Sequence, residues 1–332
     1  MLMKKRFILF LMAALTGAAK VSAQEPYIAL NEDEKTLTFY YDDEKAARGG
    51  EGLEVLVDGG YEKKNMVATA VFDASFAQYH GLTSMAYWFQ FFPKLTAVKG
   101  TENVNTENVT SMTSLFQGSN KLESVDLSTW NTSNVETMES LFWGCNKLKS
   151  VNVSTWNTSK ATNIMGFFAQ CESLESVDVA GWDVRKAISF NFMFDGCKKL
   201  KEIDISGWNP ESMENNNSFA MFSSCLELTT IYVGDNWNPE LFTEGWHMFY
   251  GSEKLVGGQG TTYQMGESDG IYARIDGGAE APGYLTYKKY TGIRSAKATR
   301  SADEAVYSLS GQRLKAPRKG VNIIAGRKVV VK

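Results

Sequence analysis

Residues 138–159 read MESLFWGCNKLKSVNVSTWNTS, and variants of this unit recur along the chain. Its Phe142 belongs to the series Phe89, Phe116, Phe142, Phe168, Phe194, Phe222 and Phe249, spaced by 27, 26, 26, 26, 28 and 27 residues. Six residues after each Phe stands a Leu: Leu95, Leu122, Leu148, Leu174, Leu200, Leu228 and Leu255. Matches in phase at a fixed period define an internal repeat, and this period falls in the leucine-rich-repeat range. Each Leu opens the pattern L-x-x-h-x-h, with h aliphatic, as in Leu122-Val125-Leu127, Leu148-Val151-Val153, Leu174-Val177-Val179, Leu200-Ile203-Ile205 and Leu228-Ile231-Val233. The two h positions are two apart and face one side of a strand. Most are β-branched, which suits a pleated, buried surface. Leu95-Val98-Gly100 is a degraded copy, and Gly257-Gly258 after Leu255 ends the series.

The other half of each unit has helical spacing. Val135, Met138, Leu141 and Phe142 follow i, i+3, i+6, i+7. Ser133 with Glu136 matches a capping box, and Gly144 supplies a stop. Three residues past the last h comes a Trp, at Trp130, Trp156, Trp182 and Trp208, with Trp237 displaced by one. These indoles keep phase with the buried set, so each is expected to stack on the ring in the next coil. The four Cys, at positions 145, 171, 197 and 225, also keep the period, and Ser119 and Ser252 hold that slot in the outer copies. A column of buried free thiols is the first reading and disulfides between neighbouring coils the second. Without a nearby His or a C-x-x-C motif, no metal site is expected.

The expectation is an α/β solenoid: a leucine-rich-repeat-like stack of six to seven coils of 26–28 residues, each a strand plus a short helix, with β-rich caps and a small C-terminal β tail. Residues 24–83 read as an N-terminal β-rich cap, with strands at 36–41 and 67–73. Residues 84–256 form the solenoid and 257–290 a C-terminal cap with strands at 271–275 and 284–287. Residues 291–305 read as a linker, and 306–332 as a terminal β segment with turns at Ser310-Gly311, Lys319-Gly320 and Ala325-Gly326.

The repeated M-x-x-L-F-x-G-C-x-x-L-x-x-V-x-V-S-x-W-N-T-S-x-V unit resembles the BspA-type leucine-rich-repeat surface proteins of host-associated bacteria. The resemblance covers roughly residues 84–255 and implies an exported, adhesin-like, non-enzymatic protein with no catalytic residues to carry over. Residues 306–332 (VYSLSGQRLKAPRKGVNIIAGRKVVVK) are similar to the closing strands of type IX secretion sorting segments. Residues 1–23 read as a signal peptide: Lys4, Lys5 and Arg6, an apolar run from Phe7 to Leu15, and Val21-Ser22-Ala23 before Gln24. That run is too short for a membrane anchor. The expected location is therefore secreted or cell-surface.

Composition narrows the function. Residues 24–287 hold 18 basic and 36 acidic side chains, a balance that repels phosphate backbones and disfavours nucleic acid as partner. Residues 288–332 hold twelve basic residues against Asp303 and Glu304. The two His, His80 and His247, have no nucleophile arranged beside them in the sequence, so neither catalysis nor a cofactor is expected.

Strand alternation assigns Ser124, Ser150, Ser176, Glu202 and Thr230, and Asp126, Asn152, Asp178, Asp204 and Tyr232, to an outward, concave face. Like charges stacked in one column destabilise a sheet by up to about 1 kcal/mol per pair, so a fold that keeps them either uses the column to bind a cation or a basic partner or solvates the carboxylates with the flanking Ser hydroxyls and water. The expected partner is a basic host or matrix protein. The alternatives are a glycan taken by Tyr232 and exposed Trp rings, or an envelope spacer with no ligand. The neighbouring column Glu123-Lys149-Glu175-Lys201 alternates in sign and reads as structural pairing.

Overall fold

A computed structural model of the chain describes residues 24–213, 217–264 and 270–292, and the strands Val306–Tyr307, Arg313–Leu314, Gly320–Ile324 and Arg327–Val331. The expected signal peptide and most of the expected linker lie outside these residues. One continuous hydrophobic core runs from Ile28 to Leu285. The repeated Phe and Leu positions are its fully buried spine. The rings of Phe89, Phe116, Phe142, Phe168, Phe194, Phe222 and Phe249 stack in one column, with centroids 5.3–6.0 Å apart and planes within 2–15° of parallel. Each such pair contributes about 0.5–1.5 kcal/mol beyond its area burial.

The α/β solenoid of strand plus short helix is not what these repeats form. Among the described residues there is no α-helix; the regular elements are short 3₁₀ turns and strands of two to five residues in four small sheets, and most of the chain is turn and loop. The cause is a pair of left-handed residues, four apart, in successive repeats: Ser114 and Gly118, Ser140 and Gly144, Gly166 and Gln170, Phe192 and Gly196, Ala220 and Ser224, His247 and Gly251. A left-handed residue cannot propagate a right-handed helix. Alternate amides turn to the neighbouring repeat instead. Met138, Ser140, Phe142 and Gly144 donate to the carbonyls of Asn163, Met165, Phe167 and Ala169 at 2.8–2.9 Å. The intervening Leu141, Trp143 and Cys145 donate to the carbonyls three residues back. Val135, Met138, Leu141 and Phe142 are still buried, so the apolar spacing is served by consecutive turns rather than a helix. The capping box also fails to form, because Asn131 Oδ1 accepts the Ser133 N–H at 3.1 Å and the Glu136 N–H donates to the Thr110 carbonyl.

Side chains repeat the same neighbour-to-neighbour bonding. The indole N–H groups of Trp130, Trp156, Trp182 and Trp208 donate to the carbonyls of Thr101, Leu127, Val153 and Val179 at 2.8–3.3 Å. Trp237, one residue out of phase, donates to Ala273 beyond the repeats. The expected ring-on-ring stack thus belongs to the Phe column. Trp156 and Trp182 instead meet Phe167 at steep angles of 69° and 63°. In the N-T-S turns, the buried hydroxyls of Thr132 and Thr158 donate to the carbonyls of Asn157 and Asp183, both at 3.0 Å.

Strands occupy the L-x-x-h-x-h edge only in part. Ser124–Val125 pairs with Ser150–Val151, and Glu202–Asp204 with Thr230–Val233, all in parallel. Residues 174–179 carry no strand. At the N-terminal end a five-stranded sheet runs in the order Glu51–Gly52, Tyr27–Leu30, Thr36–Tyr40, Thr69–Phe72 and Ala97–Lys99. At the other end Leu285–Tyr287 pairs in parallel with Thr230–Val233. The strand expected over 271–275 is instead the 3₁₀ turn Gly270–Tyr272 followed by a single bridge from Ile275 to Leu285. The C-terminal strands form an antiparallel sheet in which Gly320, expected in a turn, pairs with Val331.

The loop after Leu255 is held by one carboxylate. Asp276 is buried and accepts from the N–H groups of Gln259, Thr261 and Gly278 and from the Thr261 hydroxyl. Burial works against its charge, but the Thr261 hydroxyl and the three amides outweigh it and lower the pKa to about 2. A depressed folded pKa contributes stability that is fully present above the ordinary carboxylate range and is lost as pH falls through about 2. Asp276→Asn is therefore expected to flatten the fall of thermal midpoint with acid below about pH 4. Gly144→Ala probes the turns: its Cβ meets only Gly118 backbone at an ordinary 3.6 Å, so the positive φ alone sets the cost. Denaturant unfolding is expected to show a loss of about 1–2 kcal/mol.

Candidate functional site

The residues of the L-x-x-h-x-h edge come together as neighbours where strands form. Ser124 lies opposite Ser150, Glu202 opposite Thr230, and Asp204 opposite Tyr232. Ser124, Asp126, Ser150, Asn152, Ser176, Asp178 and Glu202 are exposed, whereas Asp204 and Tyr232 are half-buried. The break at 174–179 leaves Ser176 and Asp178 outside any strand pairing.

The acidic column has a local structural task. Asp126, Asp178 and Asp204 each accept, through Oδ1, the N–H two residues on, from Ser128, Ala180 and Ser206 at 3.0, 3.4 and 2.9 Å. Asn152 Oδ1 accepts from the Ser154 hydroxyl at 2.9 Å. These side chains bend the backbone out of the strand, which is why the strands are so short. Each carboxylate is thereby fixed in direction, with its second oxygen left to face outward at Asp204.

At Asp204 that second oxygen holds a cation. Lys288 Nζ lies 2.5 Å from Asp204 Oδ2 and 4.7 Å from the centre of the Tyr232 ring. Lys288 is brought there by Leu285–Tyr287, whose pairing continues in the bond from Lys288 N–H to the Val233 carbonyl at 2.8 Å. Burial pushes the Asp204 carboxyl up, but Lys288 and Ser206 outweigh it and lower its pKa. In the neighbouring column Glu123 and Lys149 form an ion pair of 2.7 Å, more than half exposed on both sides. Exposed pairs of this kind contribute about 0.2–1 kcal/mol.

The thiols are not part of this edge. Cys145, Cys171, Cys197 and Cys225 are free and buried, and their Sγ atoms donate to the carbonyls of Phe116, Phe142, Phe168 and Phe194 at 3.1–3.2 Å. Ser119 and Ser252 make the same bond to Phe89 and Phe222. Burial pushes all four thiols well above the usual range, so they stay protonated and unreactive. Among the described residues no group of three or more His, Cys, Asp or Glu is placed to hold a metal ion. None of their helices is long and apolar enough to cross a membrane.

A second surface escaped the sequence reading. Trp143, Phe192, Phe219, His247 and Tyr250 form a chain of ring contacts with centroids 5.1–5.9 Å apart. They sit one residue after, or two or three before, the core Phe of their own repeat. Aromatic residues outside the buried phase were the available signal. His80, by contrast, has its Nδ1 2.6 Å from the Asn105 amide. Non-reducing alkylation is expected to label no thiol in the folded chain and four after unfolding; one disulfide would leave two and two disulfides none.

A family model described as "Mycoplasma protein of unknown function, DUF285" matches residues 83–201 and, overlapping them, residues 148–259. Together the two matches span more than half of the chain and cover the Phe column from Phe89 to Phe249. No curated protein and no solved structure matches it. By the extent of that match, the chain belongs to the family described as Mycoplasma protein of unknown function, DUF285.

Proposed function

We propose that the chain is an exported, non-catalytic binding module whose L-x-x-h-x-h edge takes a basic segment of an extracellular protein. The observation that carries this reading is the seat of Lys288. An ammonium group already lies between the Asp204 carboxylate and the Tyr232 ring, in the same column that exposes Asp126, Asn152 and Asp178. A carboxylate pre-aimed by its own backbone hydrogen bond recognises a lysine with little ordering cost. The adjoining serines at 124, 150 and 176 add hydroxyls that can meet a peptide backbone.

Export and surface location rest on the sequence features of residues 1–23 and on the resemblance of the repeats to bacterial surface proteins. The non-catalytic reading is supported by the two histidines, one against an amide and one among aromatic rings. An envelope spacer without a ligand is the second reading, supported by the structural use of each acidic side chain in its own turn.

Interferometry with immobilised decalysine tests the proposal on the full chain. Asp126→Ala with Asp178→Ala is expected to weaken binding roughly fivefold, on the scale of two exposed ion pairs. Lys288→Ala, which uncovers Asp204 and Tyr232, is expected to strengthen it. Glu102→Ala with Glu253→Ala removes the same charge elsewhere and is expected to change little. Equal losses from both acidic pairs would reduce the effect to net charge and favour the spacer reading.

A further inference from the structure

We propose that the segment Tyr287–Tyr290 is a strap that holds the place of a ligand, and that the ligand is a peptide segment in which a Lys is followed two residues later by an aromatic ring. The inference rests on the reading of the Asp204 edge as a seat for a basic partner, and it names the pattern that partner carries. The strap follows Leu285, which is fully buried and whose strand pairs in parallel with Thr230–Val233. From Leu285 outward the chain opens to water. Tyr287 is 48% and Tyr290 40% exposed, as is 47% of the Lys288 side chain. A strap built only to close the repeats would be packed as Leu285 is. Segments with few buried contacts lie at the low end of local stability, so residues 287–290 are the part that lifts while Leu285 holds.

The strap shows what the seat reads. Lys288 Nζ lies between the Asp204 carboxylate and the Tyr232 ring, at 2.5 Å from Oδ2 and 4.7 Å from the ring centre. A carboxylate and a ring face together select a cation over a neutral side chain. The Lys288 backbone N–H donates to the Val233 carbonyl at 2.8 Å. The Tyr290 ring lies against Gly207, with a ring carbon 3.0 Å from where a Cβ would stand. Lys288 and Tyr290 are two residues apart, the spacing that places side chains on one face of an extended chain. A main-chain bond flanked by pockets for alternate side chains is how an added extended peptide is recognised.

The second pocket takes a ring and has room to spare. A cavity of about 260 Å³ opens beside Tyr290, with Gly181, Trp182, Asp183, Arg185 and Gly207 among its walls. The residue before the repeat Trp is Thr129 and Thr155 in two earlier copies, and Gly181 and Gly207 in the two that wall this cavity. Two side chains present elsewhere are thus missing where the space opens. Trp182 is buried and supplies an apolar wall. Asp183 and Arg185 are paired with each other through two side-chain hydrogen bonds, at 2.6 and 2.9 Å. Their charges cancel, so the cavity favours a ring over a second cation or an anion.

Interferometry of the full chain against the immobilised peptide TYKKYT, which copies residues 286–291, tests the proposal. Lys288→Ala with Tyr290→Ala empties both seats. It is expected to bind TYKKYT about tenfold more tightly than the parent does, the scale of one exposed ion pair with one cation–ring contact. The isomeric peptide TYYTKK has no Lys followed two residues on by a ring, and is expected to gain little. Adding Asp204→Asn, which keeps an oxygen for the Ser206 N–H, is expected to erase the gain. A measurement on the parent stands apart from any folding defect of the variants: saturating TYKKYT is expected to speed hydrogen exchange at the Lys288 amide and leave that of Leu285 unchanged. The proposal falls if TYYTKK binds as tightly as TYKKYT, or if the double variant gains nothing and Lys288 exchange is unmoved. It falls also if sedimentation shows a parent dimer that the double variant dissolves, which would seat the strap in a second copy. Should decalysine bind while TYKKYT is not preferred, this inference falls and the basic-partner reading stands; if neither binds, both fall.

Discussion

The hydrogen bond from one repeat to the next is the constraint on which the molecule depends. Alternate amides of the segments around the core Phe residues from Phe89 to Phe222 leave their own turn and reach the carbonyls of the following repeat, as Met138, Ser140, Phe142 and Gly144 do. A buried amide must find a partner, and here left-handed residues aim it at a neighbour rather than up a helix. The Phe column, the thiol column and the indole column all inherit their spacing from this ladder. The thiols and indoles then donate the opposite way, to carbonyls of the preceding repeat, and the Phe column adds ring stacking. Most polar groups of the interior are thus satisfied without long strands or helices, the buried Ser218 hydroxyl being an exception, which explains how a chain that is mostly turn encloses a continuous core.

Much of the interior was legible in the sequence because burial leaves a periodic trace. Phe142, Leu148, Val151, Val153 and Trp156 could be read as inward-facing from their phase alone, and all are buried. The backbone between them could not. Apolar residues at i, i+3 and i+7 fit an α-helix and a run of tight turns equally well, and what separates the two is the sign of φ at two positions per repeat. Glycine signals that sign at Gly118, Gly144, Gly196 and Gly251, but Ser140, Phe192 and His247 adopt it unannounced. Stacking was assigned to the wrong ring for a related reason. The indoles carry an N–H that must be bonded, and the bond turns each ring toward a carbonyl and away from the next indole.

The candidate edge divides in the same way. Alternation told which of Ser124, Asp126, Ser150 and Asn152 face out, and they do. It did not tell that Asp126, Asp178 and Asp204 would each close a turn on the residue two positions on, because that bond needs the strand to end there. Nor could it place Lys288 over Asp204, since the two are 84 residues apart and meet only because Leu285–Tyr287 adds itself to the last repeat strand. The aromatic surface was invisible for the opposite reason. Its rings break the period instead of keeping it, and a reading built on the period passes over them.

Ser119 and Ser252 take the place of the cysteines at the two ends of their column, and each makes the bond the thiol makes. Except for the Trp143 ring, which reaches past one copy to Phe192, the inter-repeat hydrogen bonds of a repeat depend only on its immediate neighbours. Excision or duplication of one 26-residue unit between matching positions would leave every remaining donor facing the same kind of acceptor. Length is therefore free to drift by unequal recombination while the interior stays intact. Only Trp237, which turns to Ala273 for its acceptor, marks where such growth must stop.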